Sequence, residues 1–291
     1  MKMSNIQVGL VIPVFNVERT IGKVIDSIAH SLDEDIAEVL LIDNCSSDAT
    51  LEIVHQRLAA HPALAELVTI IQHEENYGYG CSIKGGFDHF SRRDVSHVMV
   101  IHGDHQVDPA WLIGKLLSSL RADEHTDLIL ASRFQPESDI HDYSLLRKAG
   151  NYFFNATTTI CSGHHMSDSG TAMIIARNSL LQKVPFRNLS NSWQFHPQLN
   201  ILLYGVPGVR IKEIPMNWAD SDADSTVPLI RYGLILLKML LLYWFKKNIR
   251  RLQPSEIFPV EPIPAHRRFK LVMNSLDHDR VLDRPKVRQA R

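Results

Sequence analysis

Hydrophobic residues occur along the first 135 residues in short continuous runs, each followed by a polar segment. These runs predict buried strands at residues 6–12, 39–42, 68–71, 98–101 and 128–131. Between them, apolar positions recur at helical spacing and predict helices at residues 21–28, 50–60, 82–90 and 109–120, with Asn16 as a cap for the first helix. Strands that alternate with helices predict an α/β fold, in which a mostly parallel sheet is covered by helices on both faces.

The second half of the chain is less regular. Its pattern predicts helices at residues 145–160 and 196–203 and strands at 171–176 and 209–214. An apolar segment follows at residues 229–245, and the last forty or so residues are basic and contain prolines. The pattern therefore predicts a domain of residues 1–228, followed by an amphipathic helix and a basic tail at residues 229–291.

Composition excludes several classes of protein. The net charge of -1 and the pI near 7.0 give no overall attraction to nucleic acid. Three widely spaced cysteines argue against a disulfide framework and a cysteine zinc site. The apolar run near Met1 is too short for a signal peptide, so we expect a cytoplasmic protein.

Polar residues follow each of the first four predicted strands at its carboxyl end. They are Asn16 and Glu18, then Asp43 and Asn44, then Asn76, and finally His102, Asp104 and Gln106. Because the carboxyl ends of parallel strands lie along the same edge of a sheet, we expect one binding site there.

Residues 100–109 contain the strongest candidate for a metal site. His102, Asp104 and Gln106 alternate, so in an extended segment they face the same side. Such ligands would hold Mg²⁺ or Mn²⁺ and leave positions for two phosphate oxygens. The alternative is a solvated loop in which Asp108 caps the helix that begins at Pro109.

Two further segments suggest nucleotide binding. Asp43 ends a buried strand, where a carboxylate needs a partner such as a nucleobase or a ribose hydroxyl. The turn from Asn76 to Gly80 contains two glycines and suits close approach of a nucleotide to the backbone. A dinucleotide fingerprint would follow the first strand and have glycine where Ile83 stands, which excludes a nicotinamide enzyme.

Six short motifs occur in the order found in family 2 glycosyltransferases. They are Pro13-Val14-Phe15-Asn16, residues 43–50, Asn76-x-Gly78-x-Gly80, Gly103-Asp104-x-Gln106-x-x-Pro109, Ala131-Ser132-Arg133-Phe134 and Asp168-Ser169-Gly170. Over about residues 6–220 the chain resembles that family, and most of all its dolichol-phosphate mannosyltransferase and polyprenyl-phosphate glycosyltransferase branch.

This resemblance implies a GT-A fold and an inverting, metal-dependent transfer from a UDP- or GDP-sugar, as in the synthesis of cell envelope polysaccharides. It assigns donor binding to Pro13, Phe15, Asn16, Glu18, Asp43, Asn76, Gly78, Gly103, Asp104 and Arg133. It assigns the metal to His102, Asp104 and Gln106, the acceptor to Asp168, Ser169 and Gly170, and catalysis to Asp104 and Asp168.

The chain departs from the family pattern at several positions. His102 replaces an aspartate, which predicts either a reduced metal affinity or a preference shifted toward softer ions such as Mn²⁺, and Tyr79 replaces a common lysine. A late cationic segment is replaced by the acidic residues 219–225, which leaves open a polyprenyl phosphate or a glycan hydroxyl as acceptor. A hydroxyl acceptor needs a base, for which Asp168 is the candidate, with Asp220 or Asp222 behind it.

The apolar segment at residues 229–245 is short for a membrane span and contains Arg231 and Lys238, so we expect residues 229–251 to contact a membrane only at its surface. Aromatic and basic residues near its end favour a helix that lies on the inner face of the plasma membrane. The alternative is a helix in the core or in the contact of a homo-oligomer.

A nucleotide-sugar-binding protein without transfer activity is the alternative function. A nucleotidylyltransferase is disfavoured because Pro13-Val14-Phe15-Asn16 is not its glycine-rich loop.

Overall fold

The computed structural model describes residues 6–141, 143–219, 229–264 and 268–273. Its strands are β1 (Val8–Val14), β2 (Ile36–Asp43), β3 (Val68–His73), β4 (His97–Val100), β5 (Leu128–Ser132), β6 (Ile140–His141), β7 (Ile174–Arg177), β8 (Ile211–Pro215), β9 (Trp218–Ala219) and β10 (Phe269–Met273). Its helices are α1 (Ile21–His30), α2 (Thr50–Ala60), α3 (Pro62–Ala65), α4 (Tyr79–Phe90), α5 (Pro109–Ala122), α6 (Leu145–Ser162), α7 (Asn178–Leu181), α8 (Phe195–Tyr204), α9 (Leu229–Asn248) and α10 (Pro254–Ile257).

The main sheet has the order β10-β3-β2-β1-β4-β7-β5-β8. Strands β3, β2, β1 and β4 are parallel, while β7 and β10 run antiparallel to their neighbours. Val14 pairs with Asp43, so β1 and β2 end at the same edge, and β4 ends there as well. The predicted α/β architecture is therefore confirmed.

Hydrophobic side chains fill both faces of the sheet, as the continuous apolar strands require. Leu10 and Ile12 point to the layer of α1, α2 and α5, whereas Val11 points to the layer of α4 and α8. Full burial of each such side chain contributes roughly 1.5–3 kcal/mol to folding. The sheet is thus a rigid platform for the loops at its edge.

The cap predicted for α1 is wrong. The helix begins at Ile21, after Thr20, while Asn16 has φ 52° and its side-chain oxygen accepts a hydrogen bond from Ser47 N at 2.9 Å. Asn16 therefore joins the loops after β1 and β2.

The segment after residue 228 packs against the rest of the chain. Helix α9 contacts α6, its Leu240 and Tyr243 lie in the core, and β10 pairs with β3. The domain boundary at residue 228 stays a prediction. Asp220, Asp222 and the basic tail from residue 274 lie outside the described residues. Among the described helices, none has the length and apolarity needed to cross a bilayer.

Candidate active site

Side chains bind the loop after β1 to the loop after β2. Glu18 Oε2 accepts from Ala49 N at 2.9 Å, and Asp48 accepts from Glu18 N at 3.1 Å. Val17 N donates to Thr50 Oγ1 at 2.9 Å. These crossed bonds fix two of the predicted site loops relative to each other.

Asp43 lies at the end of β2 and is fully buried. Its carboxylate accepts from Ser46 N at 3.1 Å, from Ser46 Oγ at 2.5 Å and from Gln72 Nε2 at 3.0 Å. The argument that this carboxylate needs a ligand is wrong, because donors within the chain already satisfy it, but its role in nucleotide binding stays a prediction. Nearby, Pro13 pairs with Ile42 in the sheet and Phe15 is exposed beyond β1. Their contact with a base and ribose stays a prediction.

Asn44 joins the end of β2 to the loop after β3. Its amide nitrogen donates to Asn76 Oδ1 at 2.7 Å, and its oxygen lies 3.0 Å from His73 Nδ1 and accepts from Tyr77 N at 3.1 Å. Asparagine suits this position because it both donates and accepts. Asn76 also accepts from Gly78 N at 2.9 Å, so its oxygen has two donors within the chain.

The two glycines of the turn after β3 face another part of the chain. A Cβ at Gly78 or Gly80 would collide with the backbone oxygens of Asn191 and Ser190. The interpretation of this turn as a place for close nucleotide approach is therefore corrected, since these glycines allow the segment 190–194 to pack on the start of α4. That helix begins at Tyr79, three residues before the predicted start.

The segment after β4 is a turn, which corrects the prediction of an extended stretch. His105 has φ 56°, and Asp104 Oδ1 accepts from Gln106 N at 3.3 Å. The turn nevertheless brings His102 Nδ1 to 3.9 Å from Asp104 Oδ2. Gln106 O accepts from Ala219 N at 2.9 Å. Gly103 packs against Val14, and its carbonyl accepts from the Thr20 hydroxyl at 2.9 Å. The alternative interpretation of this segment, a loop in which Asp108 caps the next helix, is also correct in part, because Asp108 caps α5 by accepting from Ala110 N.

Tyr79 lies beside His102, and its hydroxyl is 2.8 Å from His102 Nε2. Burial, with Asp104 and Tyr232 nearby, raises the pKa of Tyr79 well above its ordinary value. Burial also lowers the pKa of His102, helped by Arg133 and opposed by Asp104. His102 therefore favours its neutral form, in which a ring nitrogen is able to bind a metal.

Arg133 and Asp168 form a buried ion pair. Arg133 Nε and Nη2 donate to the two carboxylate oxygens at 2.7 and 2.8 Å, and Arg133 N donates at 3.1 Å. Burial alone would lower the pKa of Arg133, but Asp168 raises it above its ordinary value. Next to them, Ser169 is buried and its hydroxyl donates to Asn155 Oδ1 at 2.8 Å, while Gly170 is partly exposed. This geometry favours a positioning role for Asp168 over that of a base, because both of its oxygens already accept from Arg133.

Two residues near the site, Trp193 and Tyr232, were missed by the sequence analysis, and His196, which the sequence favours as a packing residue, lies beside them. Trp193 stacks on Tyr79 with ring centroids 5.2 Å apart, and Tyr232 donates to Trp193 O at 3.1 Å. His196 is buried and lies 5.6 Å from Tyr79 between ring centroids, and burial beside His102 lowers its pKa to about 3. These aromatic residues lie on an irregular segment and on α8 and α9, where the sequence contains no motif that marks them.

A cavity of about 440 Å³ opens beside the ion pair. Arg133 and Lys148 contribute positive charge to it, Asp139 contributes negative charge, and Phe134, Ile140 and Tyr152 contribute apolar surface. It lies between the loop after β5 and the first turns of α6. Such a lining suits a ligand with an anionic group and an apolar part.

Few of the described side chains at this site are able to bind a metal. Among the described residues, no three His, Cys, Asp or Glu side chains are grouped closely enough to hold a metal ion. His102 and Asp104 offer one ring nitrogen and one carboxylate that converge. Such a donor pair suits a divalent ion that takes further ligands from phosphate oxygens and water.

The comparisons with known proteins agree on the family and the fold. The model of glycosyl transferase family 2 matches residues 10–184, which is more than half of the chain. Dodecaprenyl-phosphate galacturonate synthase of Rhizobium johnstonii is 25% identical over 260 residues, which cover 88% of this chain and 71% of that protein.

Solved structures share the architecture. Glucosyl-3-phosphoglycerate synthase of Mycobacterium tuberculosis, in complex with Mn²⁺, UDP-glucose and phosphoglyceric acid, has a TM-score of 0.58 and 17% identity and matches 83% of this chain and 79% of its own. Mannosyl-3-phosphoglycerate synthase of Rubrobacter xylanophilus has a TM-score of 0.61 and 17% identity, with 85% and 76% covered. At these identities the likeness establishes the fold alone.

Proposed function

This chain belongs to glycosyl transferase family 2 and has the GT-A fold, and we propose that it transfers a sugar from a UDP-sugar to a polyprenyl phosphate at a membrane surface. The family, the fold and the enzyme class predicted from the sequence are confirmed. The donor base, the metal and the acceptor are the parts that we propose.

The observation that carries the acceptor is the reversed burial of α6. Its exposed positions include Leu145, Tyr152, Phe153 and Ile160, of which Leu145 is 84% and Ile160 75% exposed. Its buried residues include Asn155 and three others, which are Thr158, Cys161 and Ser162. A helix in water normally buries its apolar face, so this face is built for contact with an apolar phase or a partner.

Charge favours a lipid surface as that phase. Residues 145–162 and 229–251 contain eight Lys or Arg and no Asp or Glu, although the whole chain has a net charge of -1. Helix α9 contacts α6 and exposes Leu241 and Phe245, with Lys238 on the same face, and Ile249 is exposed directly after the helix. Apolar side chains flanked only by cations are typical of helices that lie on anionic membranes.

The cavity that contains Lys148 opens at the end of this apolar surface. Lys148 and Tyr152 of α6 line it together with Arg133. A lipid phosphate held there would place its oxygen beside the site while its chain stays in the membrane. A phosphate oxygen is already a nucleophile and needs no strong base, which agrees with an Asp168 that is paired with Arg133.

On the donor side, His102 and Asp104 would hold a divalent ion, whose charge offsets the negative charge that develops on the leaving diphosphate. The nitrogen ligand favours Mn²⁺ over Mg²⁺. The structural relative with 17% identity binds Mn²⁺ and UDP-glucose, which supports UDP over GDP as the nucleotide.

Transfer to lipid tests this function directly. The protein is incubated with Mn²⁺ and radiolabelled UDP-glucose, UDP-galacturonate or GDP-mannose, and with dodecaprenyl phosphate in anionic vesicles, and label in the organic phase is counted. We expect label from a UDP-sugar and none with the Asp104→Ala variant. Label transferred only to a soluble glycan would refute the lipid acceptor, and donor binding without any transfer would support a binding protein.

A matched pair of variants tests the membrane surface. Phe153→Glu with Ile160→Glu should lower transfer to vesicle-bound lipid and co-sedimentation with anionic vesicles, while UDP-sugar binding stays unchanged. Ser118→Glu, on an exposed position of α5, should leave both unchanged. Loss of oligomeric state without loss of vesicle binding would instead assign this face to contact between copies of the chain.

A further inference from the structure

The segment at residues 190–194 presents a large aromatic ring to solvent beside the candidate metal residues. Trp193 is 44% exposed, and its ring lies nearly parallel to that of Tyr79, with an angle of 16° between the planes. A single exposed tryptophan needs no ligand, but its indole face offers a ligand a large apolar surface.

The segment is firmly held, so the position of Trp193 is set by the fold. Lys84 is fully buried and its ammonium donates to Leu189 O, to Asn191 Oδ1 at 2.8 Å and to Glu261 O at 2.5 Å. Glu261 Oε2 accepts in turn from Asn191 N at 2.9 Å and from Ser190 Oγ at 3.1 Å. Burial lowers the pKa of Lys84 to about 8, a cost that the surrounding oxygens partly offset.

Trp193 is linked to residues of both proposed parts of the reaction site. On one side, its partner Tyr79 is hydrogen-bonded to His102 and lies close enough to Asp104 for their charges to interact. On the other side, Tyr232 donates to Trp193 O and interacts electrostatically with Arg133. The aromatic pair is thus connected to the residues of the proposed diphosphate position and to those of the proposed acceptor position.

In a transfer reaction the sugar must lie between the leaving diphosphate and the attacking oxygen. We therefore propose that Trp193, supported by Tyr79, forms the wall of the sugar subsite and stacks on the C–H face of the transferred sugar. This inference rests on the proposed function and names the residue that recognises the sugar. Tyr232 acts as a positioning residue, because it touches the segment and not the sugar.

Stacking on a flat ring also discriminates among sugars. A hexose with its hydroxyls equatorial presents a continuous apolar face, whereas an axial hydroxyl on that face interrupts the contact. The rings of nucleobases stack well too, but the base is predicted to bind near Asp43, at the loop after β2. Trp193 would therefore contribute to binding of the sugar and not of the nucleotide.

Calorimetry with the full chain separates these contributions. Binding of UDP, UDP-glucose and UDP-galacturonate with Mn²⁺ is measured for the wild type, Trp193→Ala and Trp193→Phe. Trp193→Ala should weaken the UDP-sugar that the wild type prefers by about tenfold and leave UDP within twofold. Trp193→Phe should keep most of the affinity. Trp244→Ala, which removes a similarly exposed tryptophan from α9, is the control and should change neither.

Each other outcome has a defined meaning. Equal weakening of UDP and UDP-sugar by Trp193→Ala would overturn this role, and so would unchanged binding of both. The Trp193→Phe variant keeps a ring in the segment, so its UDP-sugar affinity decides the question if Trp193→Ala folds poorly. A wild type that binds UDP but no UDP-sugar would also overturn it. A wild type that binds neither would refute the proposed function itself.

Discussion

The ion pair between Arg133 and Asp168 allows the role of Asp168 to be tested by its energetics. Asp168 is 2% exposed and accepts three hydrogen bonds from Arg133, two of them from the guanidinium. A hydrogen bond to a charged group contributes about 1.5–3 kcal/mol, so the two guanidinium bonds together correspond to roughly 3–6 kcal/mol. Removal of one partner of a buried pair typically costs about 3–5 kcal/mol, because the other charge stays buried and unpaired.

Asp168→Ala and Arg133→Met should therefore each lower the free energy of unfolding by about 4 kcal/mol. The double variant should lose much less than the sum, with a coupling energy of about 2–3 kcal/mol. Urea denaturation followed by circular dichroism measures all four proteins. Losses that add to within about 0.5 kcal/mol would refute the buried pair.

The same variants distinguish positioning from catalysis. If Asp168 were a general base, Asp168→Asn would lower kcat by about 10²- to 10⁴-fold. A positioning role predicts a smaller change in kcat and a rise in the KM for the lipid phosphate, because Arg133 loses its orientation. Steady-state transfer kinetics, which give kcat and KM separately, distinguish the two cases.

Two further predictions concern stability. Burial lowers the pKa of His97 to about 4 from 6.5, so between these pH values the unfolded chain binds one more proton than the folded chain, and stability falls as pH falls. Between pH 7.5 and 5, the free energy of unfolding of the wild type should therefore fall by about 2 kcal/mol more than that of His97→Leu, as measured by urea denaturation. Equal losses in the two proteins would contradict this. A Cβ at Gly80 would lie 2.9 Å from Phe195 Cβ and collide with Ser190 O, so Gly80→Ala should cost about 1–3 kcal/mol. The control is Gly114→Ala, in an exposed turn of α5 with no atom near the new Cβ, and it should raise the free energy of unfolding by about 1 kcal/mol. Equal effects at the two glycines would contradict the close approach of the 190–194 segment.

Much of the fold is predictable from the sequence because each central strand is a continuous apolar run. The helix at Thr50–Ala60 has its predicted bounds, and most other elements differ by a few residues. The antiparallel direction of β7 was not predicted, since strand direction depends on long-range pairing that a local pattern does not encode. Strand β10 was missed because it lies on the exposed edge of the sheet within the basic tail.

The site is predictable only in part. Its location follows from parallel strands, because their loops must meet at one edge. The hydrogen bonds within the site cannot be predicted from the sequence, because their partners are far apart in the chain. Asp168 and Arg133 are separated by 35 residues, and Lys84 and Glu261 by 177. The helix predicted at residues 145–160 is present as α6, but the sequence pattern does not say which face is buried. For α6, the usual assumption that a helix buries its apolar face is wrong.

The reversed burial of α6 and the held position of Trp193 have a common consequence. Tyr232, near the start of α9, donates to Trp193 O, and α9 packs against α6 at the proposed membrane surface. The helix that would contact lipid therefore also contacts the segment that would contact sugar. Because a hydrogen bond of 3.1 Å does not survive a shift of α9 by even an ångström, docking on lipid and ordering of the sugar subsite should be coupled. Vesicles that contain no acceptor should then raise UDP-sugar affinity in the wild type and not in Tyr232→Phe, whereas an equal effect on both proteins would separate the membrane surface from the sugar subsite.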